Sequence, residues 1–94
     1  MKEIQFEWNP EKASSNLKKH KVSFEEAQTV FSDPFARIID DPDHSDEEER
    51  FIILGVSQKK RVLIVCHCYR LHDEIIRIIS ARKATKNEQN SYRG

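Results

Sequence analysis

Basic residues lie inside and at the end of a strongly β-forming run, Ile76–Thr85. Arg77 falls within the run, and Arg82 and Lys83 lie near its end, where we expect a helix to begin. A planar guanidinium binds two phosphate oxygens at once and stays charged at any working pH. We therefore predict that Arg77 and Arg82 bind phosphate and stabilise transition-state charge, with Arg61 as a third candidate. The structural alternative is an arginine whose stem covers the sheet or whose head points to water.

Chemistry at a bound phosphodiester also needs a proton acceptor for the attacking hydroxyl and a proton donor for the leaving oxygen. The side chains that can fill these two roles are His44, His67, Glu48, Glu49, Lys83 and Tyr92. His44 lies among carboxylates that favour its charged form, and we expect His67 on the same strand face as Arg61. The sequence does not place these groups in space, so the general base and the general acid stay open. For His67, a half-buried structural role is the alternative.

Contacts to a nucleic acid outside the reacting centre are predicted for Lys83, His67, Arg50 and Trp8. Cations hold the phosphate backbone, and aromatic rings stack on bases. For Trp8 the competing interpretation is an anchor that fixes the first strand in the core.

Charge is segregated along a chain whose net charge is zero. Residues 1–22 hold five basic and three acidic residues, residues 23–57 hold two and ten, and residues 58–94 hold nine and three. A cationic C-terminal third can bind phosphates locally, because salt screens exposed charges beyond about 8 Å. Seven of the ten residues from Asp40 to Glu49 are acidic, which indicates either a solvated loop or an electrostatic guard and docking strip.

Length and composition favour one soluble domain, 1–94, with a modest core and one layer of helices on a small sheet. The longest apolar run, Val62–Cys66, is too short to span a bilayer, and the N-terminus lacks the layout of a signal peptide. We expect a cytoplasmic protein without membrane contact.

Cys66 and Cys68 flank His67, a grouping that raises the question of a metal site. Structural zinc takes four ligands from paired clusters, whereas two cysteines at strand spacing point together into an apolar face. We predict buried free thiols, no metal and no cofactor.

The N-terminal third predicts a strand followed by two helices. Ile4–Trp8 alternates apolar and polar residues, Asn9 caps a helix that opens with Pro10, and Ser23 begins a capping box for a second helix. These helices form a hairpin packed on a mainly antiparallel sheet of about four to five strands, an α+β fold.

The remaining elements are the strands 36–40, 50–56, 61–69 and 74–80, with a tight turn at 57–60 and a short C-terminal helix between Arg82 and Arg93. Alternation predicts that one set of side chains faces the helices: Val62, Ile64, Cys66, Cys68, Ile76, Ile78 and Ser80. It predicts an open face shared by Arg61, His67, Tyr69 and Arg77.

Three ordered blocks of residues resemble the BrnT family, the toxin halves of bacterial type II toxin–antitoxin pairs. The first block is Phe6-Glu7-Trp8-Asn9-Pro10 with Lys12, Asn16, Lys19-His20 and Ser23–Ala27; the second is His44-Ser45 with Glu48–Phe51; the third is Arg77–Thr85 with Glu88 and Tyr92. Asn9 stands where the family usually has Asp, and Lys60 where Gly usually precedes the arginine of the turn.

The resemblance implies a RelE-like fold and a ribonuclease that inhibits translation, acting on RNA on or off ribosomes. It also implies neutralisation by a cognate BrnA-type antitoxin with a ribbon-helix-helix domain, and contact with operator DNA only through the toxin–antitoxin complex. The alternative function is a non-enzymatic module that binds RNA or an acidic protein through the same basic face.

Overall fold

The computed structural model is an α+β fold in which two helices cover one face of a sheet. It describes residues 4–40 and 49–93, and within these ranges the sheet has five strands. The elements in chain order are β1 (Gln5–Glu7), α1 (Pro10–His20), α2 (Phe24–Thr29), a 3₁₀ turn (Val30–Ser32), β2 (Arg37–Asp40), β3 (Phe51–Val56), β4 (Val62–Arg70), β5 (Ile75–Lys83) and α3 (Lys86–Arg93). The predicted fold class, with its helical hairpin and short C-terminal helix, is confirmed. No helix in the described ranges is long and apolar enough to cross a membrane.

The strands lie in the order β1-β5-β4-β3-β2. β1 runs parallel to β5 and pairs only with Ile75–Arg77, whereas the other neighbours are antiparallel. Beyond Arg77 the β1 side of β5 therefore lacks a strand neighbour within the described chain. There the side chain of Asn16 in α1 supplies the hydrogen bonds that a neighbouring strand would make. Asn16 Nδ2 donates to the Ala81 carbonyl over 2.8 Å, and Asn16 Oδ1 accepts from the Ala81 N–H over 3.1 Å.

Local sequence signals start both N-terminal helices as predicted. Asn9 Oδ1 accepts from the backbone N–H groups of Glu11 and Lys12 at 2.8 and 3.2 Å, which satisfies two of the unpaired donors of the first turn. Ser23 Oγ accepts from the Glu26 N–H at 3.0 Å. The Glu26 carboxylate instead bonds Ser57 and Arg61, so it ties α2 to the turn between β3 and β4.

The core lies between the helices and the sheet and consists of buried apolar side chains: Val22, Phe24, Ala27, Val30, Ile53, Leu63, Val65, Ile78 and Ala81. The strand-face assignment for β4 is therefore wrong. Leu63, Val65 and His67 face the helices, whereas Val62, Ile64 and Cys66 are only half-buried. Both faces of this central strand carry apolar residues, so alternation by itself could not tell which one the helices cover.

A β-bulge changes the alternation of β5. Cys66 pairs with Ser80 and His67 pairs with Ile78, so Ile79 is an extra residue. Ile76 and Ile78 face the core as predicted, but after the bulge Ala81 is buried and Ser80 is exposed, so the prediction that Ser80 faces the helices is wrong. β5 also continues through Lys83, so Arg82 lies in a strand and not at a helix start.

The turn between β3 and β4 holds Lys60 in the left-handed region with φ = 65°. A side chain in this conformation costs about 1–2 kcal/mol, and glycine avoids the cost. Its N–H donates to the Ser57 carbonyl over 2.8 Å, a bond that any residue type can make.

We expect Lys60→Gly to raise the free energy of unfolding by about 0.5–1 kcal/mol, because it relieves this strain and keeps the backbone hydrogen bond. Lys59→Gly is the matched control, since Lys59 is exposed and has no positive φ. It should lower stability or leave it unchanged. Urea denaturation monitored by circular dichroism measures both variants, and equal effects of the two would contradict the strain argument.

Candidate functional site

The sheet face opposite α1 and α2, called the outer face below, carries both Arg77 and Arg82. Arg77 alternates with the buried Ile76 and Ile78, and Arg82 follows the buried Ala81. Residues five apart on a regular strand point to opposite faces, because the side-chain period is two. The extra residue at the bulge corrects this phase and brings the two guanidinium groups to one face.

Arg77 lies in the middle of β5, beside Glu7 of the parallel strand β1. Its Nη1 donates to Glu7 Oε2 over 2.7 Å, and the Nε of Arg70 lies 3.5 Å from the same oxygen. Arg77 and Glu7 are each about one-third exposed, and Arg70 is more exposed. This Glu7–Arg77–Arg70 cluster therefore places a carboxylate and two cations where solvent and a ligand can reach them.

Arg82 is held by Glu88 of α3 in a two-pronged ion pair, with Nη1–Oε1 and Nη2–Oε2 distances of 2.8 and 2.9 Å. Glu88 also caps its helix, since its Oε1 accepts from the Thr85 N–H while the Glu88 N–H donates to Thr85 Oγ1. The hydrogen bond from Arg82 lowers the pKa of Glu88 to about 2. Glu88 is thus an ionised positioning residue and a weak proton acceptor.

The two carboxylates that hold the arginines are not among the predicted site residues. Glu7 and Glu88 lie 70 and 6 residues from their partners, and the longer separation leaves no local pattern to read. Both belong to the motifs that resemble the BrnT family, and Thr85-x-x-Glu88 has the form of a capping box. The capping box was therefore a readable signal for Glu88.

The placement of Arg61 on the open face with Arg77 is wrong. Its guanidinium forms an ion pair with the buried carboxylate of Glu26, with Nε donating to Oε2 over 2.9 Å, and its Nη2 donates to the Lys21 carbonyl. These hydrogen bonds from Arg61 outweigh burial and lower the pKa of Glu26. Ser57 Oγ donates to the same carboxylate over 2.7 Å. Arg61 thus joins the helical hairpin to the β3–β4 turn.

The placement of His67 on the open face is also wrong, since the side chain is fully buried. Its ring contacts Phe31, Phe51 and Tyr69 with centroid distances of 4.8, 6.1 and 5.2 Å. Its two nitrogens lie 3.3 Å from the Val65 carbonyl and 3.2 Å from the Tyr69 hydroxyl. Burial lowers the pKa of His67, and the contact with the Val65 carbonyl offsets only part of this.

Tyr92 lies near the end of α3, where its hydroxyl donates to Asp33 Oδ2 over 2.6 Å. The same oxygen accepts from the Val56 N–H, so this contact ties α3 to the edge of β3. The hydrogen bond to Asp33 raises the pKa of Tyr92, which makes this phenol a poorer proton donor. The structure does not show Tyr92 in contact with the arginines of β5.

The other predicted contacts are dispersed. Lys83 is exposed at the end of β5, and Trp8 is half-buried with its ring 5.9 Å from that of Phe24. Arg50 is half-buried, and its Nε lacks a hydrogen-bond partner among the described residues. His44 and Glu48 lie outside the described residues.

Cys66 and Cys68 lie on β4, on either side of His67. In the described ranges, no group of three or more His, Cys, Asp or Glu side chains is arranged to hold a metal ion. Cys68 is buried and Cys66 is half-buried.

Comparisons with known proteins relate the whole architecture to one group. A family model described as the ribonuclease toxin BrnT of type II toxin–antitoxin systems matches residues 8–88. The crystal structure of the Brucella abortus ribonuclease toxin BrnT aligns with a TM-score of 0.66 at 21% sequence identity, covering 89% of this chain and 100% of that one. At this identity the structural likeness shows the fold alone. The comparison with curated proteins found no match.

Because His67 is buried in its neutral form, we expect stability to fall as the pH drops from about 6.5 towards the lowered pKa. In this window the unfolded chain binds a proton that the folded chain does not, at up to about 1.4 kcal/mol per pH unit. The carboxylates of Glu26 and Glu88 act at lower pH, since their pKa values are lowered. Thermal unfolding between pH 7.5 and 5 measures the slope.

His67→Phe should flatten this slope, and the exposed His72→Asn should leave it unchanged. An equal slope in wild type and His67→Phe would show that another group controls the acid response.

Proposed function

This chain belongs to the BrnT family of ribonuclease toxins, and from that premise we propose that it cleaves RNA at the Glu7–Arg77–Arg70 cluster. Cleavage of RNA in this way inhibits translation. Family membership also supports a cognate antitoxin, of the ribbon-helix-helix type, and operator DNA contacts made only by the complex. The expected site of action is the cytoplasm.

The observation that carries the assignment is the number of donors that Arg77 keeps available. A guanidinium has five N–H donors. Within the described chain Arg77 uses one of them on Glu7, whereas Arg82 uses three, two on Glu88 and one on the Lys83 carbonyl. Arg77 can therefore bind two phosphate oxygens without losing its ion pair, and Arg82 is better suited to fixing α3 beside the site.

Glu7 is the proton acceptor that the geometry supports best. Both arginines contact its Oε2, and Oε1 has no hydrogen-bond partner among the described residues. Oε1 can take the proton of the 2′-hydroxyl while Arg77 neutralises the charge that develops on the phosphate. The attacking oxygen closes a 2′,3′-cyclic phosphate, and solvent on this exposed face protonates the leaving 5′-oxygen. No step requires a metal ion.

The test of this reaction is cleavage of end-labelled RNA by purified protein in excess chelator, with and without ribosomes. We expect 2′,3′-cyclic phosphate ends from wild type and a loss of about 10²–10³-fold in rate for Arg77→Ala. Arg77→Lys should retain part of the activity, because a point charge replaces a two-pronged donor. Arg82→Ala should lose less.

Lys59→Ala, an exposed cation in the β3–β4 turn, is the matched control and should cleave like wild type. Undiminished cleavage by Arg77→Ala would show that this arginine is not part of the reaction site. Binding of RNA without cleavage under every condition would favour the non-enzymatic module, and loss of wild-type cleavage in chelator would contradict metal independence.

Glu7→Gln tests the base separately, because glutamine keeps a hydrogen-bond acceptor for Arg77 but does not take up the proton. We expect kcat to fall by at least about 10²-fold and the acidic limb of the pH–rate profile to disappear. Glu25→Gln, an exposed residue of α2, should leave both unchanged. A reduced rate with the acidic limb intact would make Glu7 a positioning residue for Arg77.

A further inference from the structure

An open groove of about 450 Å³ runs between α1 and β5. Lys12 and Lys19 of α1 form one wall together with His20, and the bulge residues Ile79 and Ser80 form the other. Asn16 lies at its base, where its amide is already occupied by backbone groups of Val22 and Ala81. The charged side chains in the groove lining are Lys12, Lys19 and Glu11, so the ammonium groups outnumber the carboxylate.

Lys12 and Lys19 lie seven residues apart on α1, which is close to two full turns. They therefore project from the same face of the helix, about 10 Å apart along its axis. The groove lining contains one carboxylate, that of Glu11, and the described residues supply no ion-pair partner to either lysine. Two exposed ammonium groups spaced along a groove suit two phosphates of one extended strand.

The groove borders the same strand, β5, that carries Arg77 of the proposed reaction site. Ser80 is exposed on its wall and lies three residues after Arg77 and two before Arg82 on the same strand. β1 ends at its pairing with Arg77, so between β1 and Asn16 the edge of β5 is bordered by this groove in place of a strand. The groove residue Ser80 and Arg77 therefore lie at nearby positions along one edge of β5.

We propose that this groove binds the backbone of single-stranded RNA through Lys12 and Lys19 and directs the substrate to Arg77. The proposal rests on the proposed ribonuclease function, which supplies the substrate class. The lysines act on binding only, since neither lies in the cluster assigned to the chemical step.

The probe is a fluorescent 2′-O-methyl RNA oligonucleotide of about 12 nucleotides, a length within the range of single-strand sites. It lacks the attacking hydroxyl and is not cleaved. Anisotropy titrations at several salt concentrations give the slope of log K against log salt, to which each phosphate contact on a single strand contributes about −0.7. The double variant Lys12→Gln, Lys19→Gln should bind more weakly and reduce the slope by about 1.4.

The matched control is Lys18→Gln, Lys59→Gln, which removes the same charge from exposed positions outside the groove lining. It should change the slope little. With cleavable RNA, the groove variant should raise KM and retain kcat, whereas Arg77→Ala lowers kcat.

The outcomes separate the two proposals. If the wild type cleaves RNA and the groove variant has the same affinity, salt slope and KM as the wild type, the groove proposal is wrong and the ribonuclease function stands. If the wild type binds RNA through the two lysines but does not cleave it, the ribonuclease function is wrong and the groove proposal stands. Unchanged RNA binding with weakened binding of the cognate antitoxin would assign the lysines to an acidic protein surface and overturn the proposal.

Discussion

The placement of α1 depends on one buried amide. Asn16, 7% exposed, donates to the carbonyls of Val22 and Ala81 and accepts from the Ala81 N–H. These bonds satisfy the edge of β5 where β1 has ended, and they hold the helix connection against the sheet. A buried backbone group without a partner costs about 1–3 kcal/mol, so an apolar residue at this position would leave that edge unsatisfied.

Arg61, Arg77 and Arg82 could not be told apart by role from the sequence, but they differ in the structure. Their carboxylate partners differ in burial and in the number of guanidinium donors that they occupy. Glu26 is buried, so Arg61 is needed to compensate its charge inside the protein. Removing Arg61 would leave the Glu26 carboxylate buried without an ion-pair partner. Glu88 takes two donors of Arg82 and caps a helix, which commits this arginine to holding α3. Glu7 takes a single donor of Arg77, and both are accessible. Availability of donors, not the presence of positive charge, therefore distinguishes Arg77 from Arg82 and Arg61.

Local signals in the sequence predicted what depends on neighbouring residues. Asn9 and Ser23 cap the helices because an N-cap acts within three residues, and the element order follows from runs of periodic residues. The faces of β4 were not predictable, since His67 satisfies its nitrogens inside the core and is buried beside aromatic rings despite its polarity. The carboxylate that pairs with Arg77 was hidden for a different reason. It comes from a strand 70 residues away, and only the parallel pairing of β1 with β5 brings the two together.

The bulge at Ile79 connects these features. Without it, an uninterrupted strand that buried Ile76 and Ile78 would also bury Ser80 and Arg82 and would expose Ala81. Such a strand would place a hydroxyl and a guanidinium against the helices and lose the small side chain that lets α1 approach the Ala81 backbone. One additional residue lets the first half of β5 bury isoleucines and the second half bury Ala81, while Arg77 and Arg82 share the outer face. The irregularity is therefore a requirement of this sequence, because a regular strand cannot satisfy the core and align both arginines at once.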